Sequence, residues 1–320
     1  MKIIFLDAGT VDWRDASLAP LKKLGNLKVY SCTGPSEVEK RSAGAGIVIT
    51  NKCVFDRKRL TRLKSLELIA LAATGTNNVD LEAASRLGIA VTNVSGYSTE
   101  SVVQWTFAFL LALVGNLLQF NEAAHNGRWS RSPFFTLPDF SFSEIDGKTL
   151  GIVGYGRIGK RVARRARAFG MKVLVARIPG RVYSASEKKG RVSLSELLRR
   201  SDFVSLHAPL SSQTEKLINS KAIRQMKRGA FLINMARGGL VEEKALFEAL
   251  RSGRLAGAAA DVLSEEPPSK NHPLLNKKIQ NLILTPHIAW ASREARARLI
   301  REIACNVKAF QEGKRRNRVV

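Results

Sequence analysis

Short apolar runs alternate with stretches of helical spacing along most of the chain. Lys2–Leu6, Leu27–Tyr30, Gly46–Ile49, Leu68–Leu71 and Ile89–Thr92 read as strands. Helical segments lie between them, for example Asp80–Leu87, closed by Gly88. This alternation predicts a parallel sheet. From Ser98 the pattern changes. One long helix is predicted to run to about Asn126, opened by Ser98-Thr99-Glu100-Ser101. Its apolar residues cover nearly the whole circumference, which calls for burial on several sides, at a domain junction or a subunit interface. A polar, proline-containing loop, Ser130–Asp146, follows. Further strands are predicted at Thr149–Val153, Lys172–Ala176, Asp202–Leu206, Ala230–Met235, Gly257–Val262 and Leu282–Leu284, with a closing helix from Ser292.

The most specific motif joins the first two strands of this second set. Thr149–Val153 enters the cluster Gly154, Gly156, Gly159, and a helical stretch Ile158–Phe169 leads to Lys172–Ala176. A strand, tight turn, helix and strand around G-x-G-x-x-G is a dinucleotide-binding unit: the first glycine permits the turn, the second lets backbone approach a pyrophosphate, and the third lets helix pack on strand. The helix directs its unpaired N–H groups and positive dipole end at the same anion. Gly154, Gly156, Arg157, Ile158 and Gly159 are therefore candidate cofactor contacts. The acid that normally accepts hydrogen bonds from the adenosine ribose is missing. Arg177 follows the second strand instead, with Arg181 in the Pro-Gly loop beyond. A guanidinium there suits a 2′-phosphate, which favours NADP(H) over NAD(H). The alternative is an ordinary exposed arginine in a very basic protein that binds NAD without the acid.

The fold class predicted is α/β, with two Rossmann-like, doubly wound parallel-sheet domains. Residues 1–98 with 291–320 form a discontinuous substrate domain, and residues 99–290 an inserted dinucleotide-binding domain. The 320 residues carry a formal charge of +25. Clusters at Arg161/Arg164/Arg165/Arg167, Lys188-Lys189, Arg293/Arg296/Arg298 and Lys314-Arg315-Arg316 are scattered and lack interleaved aromatics. They read as a solvated basic surface, and nucleic acid is not an expected partner. Cys32, Cys53 and Cys305 have neither disulfide nor zinc spacing and read as small buried residues, so no metal is expected. The apolar stretch Val102–Phe120 contains Gln104, Gly115, Asn116 and Gln119 and reads as a buried helix, not a membrane span. A soluble cytoplasmic protein is expected.

The chemistry lies at the later strand ends. Hydride transfer from a bound nicotinamide to a carbonyl carbon needs a cation to polarise the carbonyl and an acid to protonate the emerging alkoxide, with the hydride donor on the opposite side. Arg237 closes a strand at a Gly-Gly turn and suits the first role; alone it reads equally as a surface arginine. His287 follows a strand and a proline at the sheet edge where α/β sites collect, and suits the second; the alternative is a structural strand-end histidine. Glu266 or its neighbour Glu265 would orient the imidazole.

Asn234–Val241, Asp261–Pro267 and Thr285–Trp290 resemble three successive signatures of the D-isomer-specific 2-hydroxyacid dehydrogenases. Thr74–Asp80, Gly154–Gly159 and Ser205–Leu210 fit the same family. The resemblance spans the chain and leans to the glycerate dehydrogenase/hydroxypyruvate reductase branch. It implies Arg237, Glu266 and His287 as the catalytic set, Glu266 being the acid directly before Pro267. It further implies His207, Ala208, Pro209, Met235, Ala236 and Asp261 as cofactor contacts, Asp261 holding the nicotinamide carboxamide unless it merely caps a loop. Thr74 and Gly75 would bind the substrate carboxylate with Arg237 and His287. The implied reaction is NAD(P)H-dependent reduction of hydroxypyruvate or glyoxylate to D-glycerate or glycolate by a homodimer. A reading from another class is a dinucleotide-sensing, corepressor-like binding protein of the same fold without significant turnover.

Overall fold

The computed structural model describes residues 1–276 and 279–320. They divide into two compact units, Met1–Ser98 with Trp290–Val320, and Thr99–Ala289. The first holds a five-stranded sheet of β1 (Lys2–Phe5), β2 (Asn26–Val29), β3 (Ile47–Thr50), β4 (Leu68–Leu71) and β5 (Ala90–Thr92), in the order β2-β1-β3-β4-β5. The second holds β6 (Thr149–Val153), β7 (Lys172–Ala176), β8 (Arg191–Val192), β9 (Phe203–Leu206), β10 (Ala230–Asn234), β11 (Leu255–Ala260) and β12 (Leu282–Leu284), in the order β12-β11-β10-β9-β6-β7-β8. Neighbouring strands are parallel in both sheets, so the predicted α/β class of two Rossmann-like, parallel-sheet units holds.

Each sheet is covered on both faces, because successive residues along a strand point to opposite sides. In the larger sheet Ile152, Phe203, Ile233 and Ala259 pack with Val103 and Phe107 of the helix Thr99–Val114 and with Val162 and Ala166 of Arg157–Ala168. Val153, Val204, Leu232 and Ala258 pack on the other face with Leu197, Ile223 and Leu246. In the smaller sheet Ile3, Phe5 and Ile49 meet Leu299, Ile303 and Val307 of the closing helix Arg293–Gln311, while Ile4, Val48 and Ile69 meet Leu60 and Ala83. Burial of an aliphatic or aromatic side chain contributes roughly 1.5–3 kcal/mol, which makes these four clusters the main source of stability.

Four expectations are corrected. The long helix from Ser98 to Asn126 is two helices, Thr99–Val114 and Leu117–His125, bent by 62° at Gly115-Asn116. Asn116 sits at φ +48°, the left-handed region asparagine tolerates and a helix interior does not contain. Nor is the second helix buried all round: Leu117 and Leu118 are exposed. Of the cysteines only Cys53 is buried, and burial pushes its thiol up to about 11; Cys32 and Cys305 are exposed. Arg296 is not a solvated surface charge. It is 2% exposed, bonds both oxygens of Asp15 and the Val11 and Ala291 carbonyls, and lies over the Trp13 ring at 4.2 Å. Among the described residues no single helix is long and apolar enough to cross a membrane.

Candidate active site

In the larger sheet the strand order reverses between β6 and β9, the place where open parallel sheets bind ligands. The glycine cluster leaves β6 there. Gly154 has φ +99°, and a Cβ on it would run into the backbone of His207 and Ala208. A Cβ on Gly159 would strike the Gly154 carbonyl. A Cβ on Gly156 would meet nothing within 4 Å. Two glycines thus close the turn onto neighbouring backbone, and the third leaves open space of the kind a dinucleotide pyrophosphate would need. Gly156 is also the N-cap of the helix Arg157–Ala168, with no side-chain cap hydrogen bond, and a helix start of this kind suits an anion. These features fit the dinucleotide the motif implies. Gly154 thus lies against His207 and Ala208, and Gly159 against Gly154.

His207 follows β9. Its Nε2 shares a 2.9 Å hydrogen bond with Ser205 Oγ, and its Nδ1 is shielded without a partner among the described residues. Part of the residue still meets solvent, yet burial of the ring holds its pKa down to about 4. It is neutral at pH 7 and a poor candidate for the proton donor. At the end of β7, Arg177 is exposed and its backbone N–H donates to Val192. Arg181 is turned away, paired with Glu187 at 3.0 Å and stacked on Tyr183 at 4.9 Å.

The ends of β10, β11 and β12 carry the titratable groups. Asn234, buried at the end of β10, accepts from the Ala236 N–H (3.1 Å) and donates to the Arg237 carbonyl (2.9 Å), which folds Met235-Ala236-Arg237 into a tight turn. Arg237 is exposed; among the described residues its guanidinium hydrogen-bonds only the Ala236 carbonyl, at 2.8 Å. No carboxylate among those residues pairs with it, so its charge is available to an anion. Gly238 lies so close to the Leu263–Ser264 peptide that a Cβ would overlap it, which sets the arginine turn directly on the loop after β11.

In that loop Glu266 accepts the Leu263 N–H on Oε1 (2.9 Å), and its Oε2 lies 2.6 Å from His287 Nδ1. A carboxylate can only accept, so Nδ1 carries a proton and Nε2 is the atom free to exchange one. The two side chains are about one-third exposed, at 32% and 30%. His287 sits at φ +54°, a left-handed conformation that costs a branched or ring side chain energy unless the surroundings hold it. Asp261 holds it. Its carboxylate accepts from Thr285 Oγ1 (2.6 Å) and the Ile288 (2.8 Å) and Ala289 (2.9 Å) N–H groups, and its carbonyl accepts from His287 N (2.8 Å). Burial pushes the Asp261 carboxyl above its ordinary value, against these donors. Asp261 therefore caps this loop, and one lone pair on Oδ2 is left for a further donor. Sequence reasoning missed Asn234 and Thr285 as shapers of the site, although both stood in the quoted signatures.

In the smaller sheet Thr74 and Gly75 follow β4. Thr74 donates its hydroxyl to Val94 O (2.8 Å) and its carbonyl accepts from Asn93 (2.7 Å), so its side chain serves the loop. Among the described residues no group of His, Cys, Asp or Glu is arranged to hold a metal ion.

An arginine without an acidic partner among the described residues, a carboxylate–imidazole pair and a glycine turn of dinucleotide-binding form lie at one edge of the larger sheet, an arrangement suited to hydride transfer with a nucleotide cofactor. The family model for the D-isomer specific 2-hydroxyacid dehydrogenase NAD binding domain matches residues 107–289. The chain is 39% identical to the glycerate dehydrogenase of Methylorubrum extorquens over 317 residues, 99% of this chain and 98% of that one. It is 39% identical to the hydroxypyruvate reductase of Blautia hydrogenotrophica over 321 aligned positions, 98% of each chain. The crystal structure of the TT0316 protein from Thermus thermophilus superposes with a TM-score of 0.88 at 38% identity, covering 100% of both chains. The chain belongs to the D-isomer specific 2-hydroxyacid dehydrogenases, oxidoreductases that use a nicotinamide dinucleotide.

Proposed function

We propose that this chain reduces small 2-keto acids, hydroxypyruvate first and glyoxylate next, to the D-2-hydroxy acids D-glycerate and glycolate, with NADP(H) preferred to NAD(H). The observation that carries the reading is the 2.6 Å pair of His287 Nδ1 and Glu266, on a loop that the turn of Arg237 abuts through Gly238, with no carboxylate among the described residues paired to that arginine. Gly154, Gly156, Arg157, Ile158 and Gly159 would hold the pyrophosphate, and Arg177 the 2′-phosphate. His207, Ala208, Pro209, Met235, Ala236 and Asp261 would line the rest of the dinucleotide. When bound, the dinucleotide supplies a hydride for the keto carbon.

The chain's own residues do the remainder. Arg237 binds the substrate carboxylate and draws electron density onto the ketone oxygen. His287 Nε2 gives its proton to that oxygen as the alkoxide forms, and takes it back in oxidation. Glu266 keeps the ring oriented through Nδ1 and balances the imidazolium charge. Thr74 and Gly75 offer backbone N–H groups, for which the structure records no partner among the described residues, to the carboxylate. In this reading the unit of residues 1–98 and 290–320 serves the substrate, and residues 99–289 the dinucleotide. The protein works as a cytoplasmic homodimer. Trp129, Phe134, Phe135 and Phe142 are exposed, which supports a second copy covering this segment.

The test is to mix the protein with NADPH and hydroxypyruvate and follow the absorbance of the reduced nicotinamide, then repeat with NADH and with glyoxylate. Rapid decay with hydroxypyruvate and NADPH supports the proposal. Absence of turnover with every small 2-keto acid refutes it.

A further inference from the structure

A second carboxylate holds the loop that carries Glu266. Glu243 is the first residue of the helix Glu243–Arg251. Its Oε1 accepts the Ser264 N–H (2.8 Å), and its Oε2 accepts Ser264 Oγ (2.5 Å) and His272 Nε2 (3.1 Å). His272 Nδ1 accepts the Leu274 N–H (3.3 Å), so the proton of this imidazole lies on Nε2, facing Glu243. The Glu243 side chain is 17% exposed and that of His272 9%. An acid in the first turn of a helix is ordinary, since it complements the helix dipole. That role needs no partner elsewhere in the chain. Here every donor comes from the loop after β11 or its continuation. The neighbouring Glu242 points elsewhere and accepts the Ser220 N–H (3.1 Å).

The bonds form a chain that ends at the acid–base pair. Glu243 takes the Ser264 N–H. The preceding N–H, of Leu263, goes to Glu266 Oε1 (2.9 Å), which leaves Oε2 for His287 Nδ1 (2.6 Å). Gly238 presses on the same Leu263–Ser264 peptide from the arginine turn. The two consecutive peptide units that flank Leu263 therefore join the turn that bears Arg237 to the carboxylate that meets the imidazole. We infer that Glu243 is a positioning residue for catalysis, acting through Ser264 and the neighbouring Leu263 N–H on Glu266, with His272 holding the same Oε2 that accepts the Ser264 hydroxyl. This deepens the proposed function and rests on the Glu266–His287 reading.

The experiment is a double-mutant cycle on the full chain, assayed with NADPH and hydroxypyruvate. Glu243→Gln keeps the size of the side chain but cannot accept from all three donors. It lowers kcat about tenfold with KM within about twofold, because the Arg237 turn keeps its own Asn234 hydrogen bonds. NADPH affinity, read by nicotinamide fluorescence, stays the same. Amide exchange at Leu263 and Ser264 quickens in the ligand-free protein. In a Glu266→Gln background the same substitution costs less than about twofold, since its route to the imidazole is already cut. Full additivity of the two losses, or an unchanged kcat in Glu243→Gln, overturns the inference. An unchanged kcat in Glu266→Gln alone overturns the acid–base reading instead. Should Glu243→Gln fold poorly, Ser264→Ala removes one donor only. It lowers kcat about threefold, and that loss likewise vanishes in the Glu266→Gln background; an additive or silent Ser264→Ala refutes the inference.

Discussion

At the end of β6 the site is built from side chains that are missing, whereas at the ends of β10, β11 and β12 it is built from side chains that hold one another. Gly154 and Gly159 let backbone reach backbone, and Gly156 leaves a space. Across the sheet, Asn234, Asp261 and Glu266 commit their hydrogen bonds to loop amides before any substrate arrives. The first construction rests on backbone packed against backbone and tolerates little change of shape. The second is assembled over long sequence distance and is sensitive to single atoms of charge or hydrogen bonding. The two should fail differently, one in dinucleotide affinity or folding and the other in turnover.

The largest expected effect is on turnover. His287→Ala removes the proton donor and should lower kcat by roughly a thousandfold, within the range for general acid–base groups. NADPH affinity should hold within about twofold, as a binding titration alongside steady-state rates will show. Equal losses in both would erase the contrast. The glycines come next. Gly154→Ala puts a Cβ at positive φ into the His207–Ala208 backbone and should destabilise the fold by roughly 3 kcal/mol in urea unfolding. Gly156→Ala meets nothing and should leave unfolding unchanged while weakening NADPH binding about tenfold. Similar unfolding curves for the two variants would break the distinction between packing glycines and a cradle glycine.

His207 links the two constructions, since it stands beside Gly154 and its pKa is held at about 4 by burial. The unfolded chain binds a proton near pH 6.5 and the folded one does not until about pH 4. The unfolded state is therefore favoured as pH falls through that window, and the stability is fully present above it. From pH 7 to pH 5 this residue alone should cost about 2 kcal/mol. His207→Gln should flatten the dependence by that amount; an unaltered slope would mean the ring is solvated. The smallest effect concerns cofactor choice. Arg177→Asp should move the NADPH/NADH preference about tenfold toward NADH, roughly 1.4 kcal/mol, and an unmoved ratio would remove Arg177 from the 2′-phosphate site.

The same contrast separates what the sequence reveals from what it hides. The glycine turn is legible because its strand, spacing and helix lie within one short segment, although the backbone that excludes a Cβ from Gly154 belongs to the distant His207–Ala208. Most strands are legible because parallel strands buried on both faces are continuous apolar runs. Strand β8 is two residues, Arg191–Val192, too short to show a pattern. The break at Gly115-Asn116 had a local signal, a glycine beside a residue that tolerates the left-handed region, but the apolar run across it reads as one helix. Arg296 was hidden because its partner Asp15 is 281 positions away. Glu243 was hidden for the same reason: beside Glu242 it reads as helix-start acid, and only folding brings Ser264 and His272 to it. Arg237, Glu266 and His287 could be nominated because the reaction demands their chemistry. The amides, Asn234 and Thr285 that aim them answer to geometry, which the order of residues does not display.

The most direct measurement is a crystal structure with NADPH and a non-reducible 2-keto acid analogue such as oxamate. The account predicts His287 Nε2 and the Arg237 guanidinium each about 3 Å from the analogue's carbonyl oxygen, with Glu266 still bonded to Nδ1. An analogue bound with its carbonyl turned away from the imidazole, or an Arg237 directed at solvent, would contradict it.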